Sequence, residues 1–102
     1  MNVIIDANNE GALKKSFEKG FGVVRVLYSK NKEYIVFAKE KRSGVVSEDI
    51  YVYRKTNNKF ILLSVLLNSS VSASTITVEK EMINILDEKG NTIISIKINN
   101  LD

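Results

Sequence analysis

From residue 22 onward the chain alternates apolar and polar positions with period two, and short polar clusters interrupt the alternation. That pattern predicts β-strands near 22–28, 33–41, 45–55, 59–67, 73–80, 82–87 and 91–98. The breaks fall at Ser29-Lys30-Asn31-Lys32, Arg42-Ser43-Gly44, Asn57-Asn58, Asn68 to Ser72 and Lys89-Gly90. Connections this short join antiparallel neighbours as hairpins. The break between 80 and 82 carries the weakest turn signal, so one long bent strand with a bulge is an alternative there. Only one segment has helical spacing. Asn9 is placed to cap it, Leu13 and Phe17 lie four apart on one face with Ala12 beside them, and Gly20 can end it, giving a helix over about 9–19. Ahead of it, Asn2 to Ile5 suits a short strand.

Pairing these strands through their loops tests for one continuous apolar face. A two-residue Asn57-Asn58 turn sets Val52 against Leu63, Ile50 against Val65, Tyr53 against Leu62 and Tyr51 against Ser64. A four-residue loop at 29–32 sets Val26 against Ile35 and Val24 against Phe37. Another at 42–45 sets Phe37 against Ile50. The expected core face is therefore Val24, Val26, Ile35, Phe37, Ile50, Val52, Leu63 and Val65. The expected second face carries Arg25, Tyr34, Val36, Tyr51, Tyr53 and Ser64. A Lys89-Gly90 turn pairs Ile85 with Ile94 and Ile83 with Ile96, leaving Asn84 near Ser95. Phe60 to Leu67 is apolar on both faces, which suits a central strand covered on both sides. The expected fold is all-β and mainly antiparallel: a hairpin-rich meander forming a sandwich or partly open barrel, with one short N-terminal α-helix.

At 102 residues this is one domain's worth of chain, read as a single β domain over 1–102. The chain has no His, Cys, Trp or Pro. That takes away the commonest general base, thiol nucleophiles, disulfides and thiolate metal sites. Residues 1–20 show no export signal and no apolar run reaches the ~20 residues of a membrane helix. The expected location is cytoplasmic, without membrane contact. The formal charge is +3 and the isoelectric point near 9.2. Residues 1–60 carry twelve Lys or Arg against seven Asp or Glu, while residues 61–102 carry three against five. Such asymmetry sets up a polar surface field.

The sharpest local motif runs from Asp6 through Asn8, Glu10 and Gly11 to Leu13, the opening spacing of a calcium loop. Its twelfth position is Phe17 rather than a bidentate carboxylate, with Glu18 one residue late and Lys14 at position nine. A polar strand-to-helix turn accounts for it better, and no cofactor or metal is expected. Glu48-Asp49 and Asp87-Glu88 are adjacent pairs whose members point to opposite faces of a strand, so neither forms an acid–base couple. No Gly-rich phosphate loop and no nucleophile motif is present, and the chain is read as non-enzymatic.

Binding chemistry is better represented. Asp49, Tyr51, Tyr53 and Lys55 alternate along one strand, two rings between opposite charges, and Arg25 is expected on the same face. Tyr and Arg are common interface anchors, so Arg25, Asp49, Tyr51, Tyr53 and Lys55 form the expected partner-binding set. The rival arrangement lays Leu13 and Phe17 across the two rings. With Tyr34 added, the face would also serve as a stacking platform for single-stranded nucleic acid, its phosphates held by the loop lysines.

The small size, the absence of cysteine and of catalytic motifs, the Asn/Lys/Ile-rich composition and the hairpin stretch YIVFAKEKRSGVVSEDIYVYRKTNNKFILL together resemble the immunity proteins of bacterial contact-dependent inhibition and other polymorphic toxin systems. The resemblance implies a cytoplasmic protein that binds a cognate toxin domain and neutralises it. It rests on whole-chain character and transfers no functional residue. A net basic charge departs from the acidic character common among inhibitors of nuclease toxins. The alternatives are a single-stranded nucleic-acid-binding module and a structural or assembly subunit.

Overall fold

A computed structural model describes residues 4–6 (backbone only), 10–19, 23–41, 46–57 and 59–98. The elements are β1 (Ile4–Asp6), α1 (Glu10–Phe17), β2 (Val24–Tyr28), β3 (Tyr34–Lys41), β4 (Ser47–Thr56), β5 (Lys59–Ser69), β6 (Thr75–Glu79), β7 (Met82–Leu86) and β8 (Thr92–Lys97). Every expected strand is present, and the break at 80–82 is a true hairpin turn with Lys80 at a φ of 55°. Asn2 and Val3 of the first expected strand, the expected cap at Asn9, the stop at Gly20, the 42–45 loop and Asn58 lie outside the described residues.

All pairings are antiparallel. One sheet has the order β1-β5-β4-β3-β2 and the other β6-β7-β8, and they pack as a sandwich that is not closed into a barrel. The C-terminal hairpin has the register read from sequence, with Ile83 opposite Ile96, Asn84 opposite Ser95 and Ile85 opposite Ile94. Its isoleucines turn inward, and Ser95 donates a hydrogen bond to Asn84 on the outer face. Gly90 takes the left-handed conformation this turn requires, with φ 84°.

The large sheet departs from expectation at three joints. In β2–β3, Val26 opposes Phe37 rather than Ile35, a shift of two that keeps both on one face. In β3–β4, Lys41 pairs with Ser47, so the connection has five residues rather than four and Phe37 opposes Tyr51, not Ile50. A shift of one inverts the faces. In β4–β5, Tyr53 opposes Leu62 as expected, but a bulge follows: Val52 then opposes Ser64, Tyr51 opposes Val65, and Leu63 is the extra residue.

The single core face therefore divides in two. Ile50 and Val52 face the small sheet with Tyr34, Val36, Ala38, Ile76, Ile83 and Ile85, and Leu63 packs at the edge of that cluster. Val24, Ile35 and Phe37 face α1 instead, with Leu13, Tyr53 and Phe60, and Val26 packs beside them. Val65, expected inside, is 41% exposed. The strand covered on both faces is β3, buried from Tyr34 to Ala38, rather than β5. The short β1 pairs only with residues 59–61 of β5, so from Leu62 onward β5 has one strand neighbour among the described residues.

Candidate protein-binding surface

The helix decides what the expected binding residues do. Phe17 lies with its ring centroid 4.6 Å from Tyr51, 5.2 Å from Phe37 and 6.4 Å from Tyr53. Tyr53 also meets Phe37 and Phe60 edge-on, at 5.6 and 6.1 Å, geometries that favour aromatic pairs. Tyr53 is 3% exposed and Tyr51 half-buried. Burial pushes both phenols above their ordinary value, with the charge of Asp49 adding to the effect at Tyr51. The rings thus anchor α1 to the sheet, because the apolar stripe of an eight-residue helix must cover something and Phe17 meets them first.

The other members of the set have separate tasks. Asp49, Tyr51, Tyr53 and Lys55 do alternate along β4, but Arg25 lies on the opposite face of the sheet, displaced there by the β3–β4 register. Its Nη2 donates to Glu48 Oε2 at 2.8 Å and to the Ala73 carbonyl at 2.7 Å. Glu48 Oε1 accepts from the Ala73 N–H at 2.7 Å. Asp49 Oδ1 accepts from the Asn68 N–H at 2.9 Å and is paired with Lys41 Nζ at 3.3 Å. Lys55 is exposed, its Nζ 6.0 Å from the Phe60 ring centroid. Tyr34 shares Arg25's face and is buried between the sheets, so Tyr34, Tyr51 and Tyr53 form no common stacking platform.

Glu48 and Asp49 point to opposite faces, as adjacent strand residues must. Of the calcium-like spacing, Glu10 opens α1 and its carboxylate accepts the Tyr28 hydroxyl at 2.7 Å, while Asn8 and the Asp6 side chain lie outside the described residues. Among the described residues, no group of three or more His, Cys, Asp or Glu is placed to hold a metal ion. None of the described helices is long and apolar enough to cross a membrane.

The same geometry brings together residues that sequence reasoning passed over. Lys39 and Lys41 fall on the α1 side of β3, and Lys39 Nζ donates to the Lys19 carbonyl at 3.1 Å, just past the helix. Lys14 and Lys15 ride on the last turn of α1. The helix-bearing face is thus rich in lysine, with the half-buried Tyr51 among apolar neighbours beside it. Alternation within 34–41 carried the signal for Lys39 and Lys41, since both share parity with Phe37. The basic first sixty residues contribute α1 and β1–β4, and the net acidic remainder contributes most of the uncharged part of β5 and the whole small sheet. No family model matches the chain, and neither a curated protein nor a solved structure does.

Proposed function

We propose that this chain is a non-enzymatic protein-binding domain, and in its most specific form an immunity protein that binds and neutralises a cognate bacterial toxin domain in the cytoplasm. The observation that supports the reading is the separation of charge by layer. Lys14, Lys15, Lys19, Lys39 and Lys41 gather on and beside the helix, over a sheet whose other side is shielded by the mildly acidic second layer. A cationic face of this kind steers and orients an acidic partner surface. Its natural targets are toxin domains with acidic faces rather than basic nuclease sites. The separation of Tyr34 from Tyr51 and Tyr53 favours this reading over single-stranded nucleic acid, which needs rings on one accessible face.

The test pairs the chain with the product of the gene immediately upstream of its own. The expected result is rescue of cells that this product kills, together with a complex of the purified proteins. Lys14→Glu with Lys15→Glu should weaken that complex about tenfold or more, with the fold intact. Failure of both rescue and complex formation refutes the immunity reading. Salt-sensitive binding of single-stranded oligonucleotides in their place would install the nucleic-acid reading instead.

A further inference from the structure

The α1 side of the large sheet is covered over only part of its width. α1 packs on β3 and runs along it. Glu10 at its start meets Tyr28, which lies opposite Ile35, and the Lys19 carbonyl just past its end meets Lys39. Those four residues of strand, about 13 Å, match the helix length of about 12 Å. Phe17 leans from α1 across to Tyr51 on β4. Beyond it, on the same face of β5, Val65 is 41% and Leu67 55% exposed. β5 lies two strands from β3, about 9.6 Å away. Helices packed side by side lie about 8–10 Å apart. A second helix beside α1 would therefore sit over Val65 and Leu67, and the described residues contain no further α-helix to fill that place. The charge around the strip is mostly positive. Lys39 stands about level with Leu67, and Lys55 is opposite Phe60 at the other end. Among the described residues, Lys14, Lys15, Lys19, Lys39 and Lys55 have no carboxylate partner. Asp49 is taken by Lys41 and the Asn68 N–H, and Glu10 by Tyr28, which leaves Glu18 against those five lysines.

We propose that this strip is the docking groove for one acidic amphipathic helix of the protein partner, laid over β5 beside α1. The inference rests on the protein-binding reading above and assigns that reading its contact site. The apolar stripe of such a helix, with residues three and four apart, covers Val65, Leu67 and the accessible part of Tyr51. Carboxylates on either side of the stripe meet Lys39 at one end and Lys55 at the other. The same lysines repel a basic partner, and a second copy of a chain of net charge +3 is disfavoured on this face for that reason. Val65 and Leu67 are aliphatic and offer no ring for a base to stack on, which favours protein over single-stranded nucleic acid.

The probe is the purified product of the gene immediately upstream, titrated into the full chain. Val65→Glu and Leu67→Glu each set a carboxylate against an acidic, apolar ridge and should weaken the complex about tenfold or more. Both positions are exposed, so circular dichroism should show the fold unchanged. Val78→Glu, 42% exposed on β6, should leave the affinity unaltered. Methyl resonances of the unmodified chain supply a readout that needs no variant: Val65 and Leu67 should shift on binding, while Ile83 and Ile85, buried against the other face, should not. Amide exchange on the partner should mark one helix with Asp or Glu flanking an apolar stripe. A complex that forms but is indifferent to Val65→Glu and Leu67→Glu overturns this site and leaves the protein-binding reading standing. A partner footprint on a loop or strand overturns the helix. Shifts of Val65 and Leu67 produced by raising the concentration of this chain alone, or by single-stranded oligonucleotides, assign the strip to another occupant and overturn the proposal. The absence of any complex removes the immunity reading and this inference together.

Discussion

The sandwich has two open flanks, and the protein treats them differently. On the β2/β6 flank, Arg25 and Glu48 from the large sheet grip both backbone polar groups of Ala73, just ahead of β6. On the other side of β2, Tyr28 reaches Glu10 at the start of α1. Three layers are thus laced together along one edge. On the β5/β8 flank, apolar side chains meet between the layers: Leu63 and Leu66 above, with Ile93, Ile94 and Ile96 among the partly buried residues of the same core. A barrel would close both flanks with a backbone ladder. Here one is closed by directional polar contacts and the other by apolar packing beneath the β5 edge. The two flanks of this small sandwich are thus held by different means, one polar and directional and the other apolar.

Among changes to the two flanks, removing the clamp should produce the largest effect. Glu48→Ala strips the acceptor from the buried Ala73 N–H and unpairs Arg25. The Arg25 side chain is 43% exposed against 6% for Glu48, so water recovers much of its charge. The unsatisfied N–H dominates, and the expected loss is about 2–3 kcal/mol in denaturant unfolding. Glu48→Gln keeps an oxygen for Ala73 and should lose less. Equal losses would show that charge, not the backbone contact, closes the flank.

The open flank should be more forgiving. Leu63 sits at a bulge and is only partly buried, so Leu63→Ala is expected to cost about 1–2 kcal/mol. Ile50, fully buried between the sheets, belongs in the usual 2–5 kcal/mol range for truncation to Ala. Chemical denaturation of both variants ranks them, and a Leu63 loss matching that of Ile50 would mean the β5/β8 flank is as tightly packed as the centre.

How far the sequence could be read depended on whether each strand had one apolar face or two. Residues 82–85 and 94–97 alternate cleanly, Ile inward and Asn84 and Ser95 outward, so one register buries Ile83, Ile85, Ile94 and Ile96 together, and Gly90 marks the turn. Residues 34–38 are apolar on both faces, so either parity satisfies the pattern. A loop longer by one residue then moved Tyr51 and Tyr53 away from Arg25 and Tyr34. Lys80 makes its turn with a positive φ that no glycine or asparagine announces. The candidate site suffered for the same reason. Alternation correctly grouped Asp49, Tyr51, Tyr53 and Lys55, but nothing local says whether a helix covers that face.

The smallest expected effect sharpens the contrast from the helix side of the laced flank. The hydrogen bond from Tyr28 to Glu10, with lesser help from burial and the Glu10 charge, raises the Tyr28 phenol above its ordinary 10.0. The folded state thus holds this proton more tightly than the unfolded chain does. The resulting stabilisation is complete below pH 10.0 and is lost as pH rises through the folded-state value, where a tyrosinate would face the Glu10 carboxylate. Tyr28 is largely solvent-exposed, so Tyr28→Phe should change stability at neutral pH by no more than about 0.5 kcal/mol. The more telling quantity is the slope. Tyr34, Tyr51 and Tyr53 are also raised, chiefly by burial, so unfolding free energy should fall above pH 10 in both proteins. It should fall less steeply in Tyr28→Phe. Identical slopes would mean that the Tyr28–Glu10 contact does not hold α1 to β2 in solution, leaving the Arg25–Glu48–Ala73 clamp as the lacing of that flank.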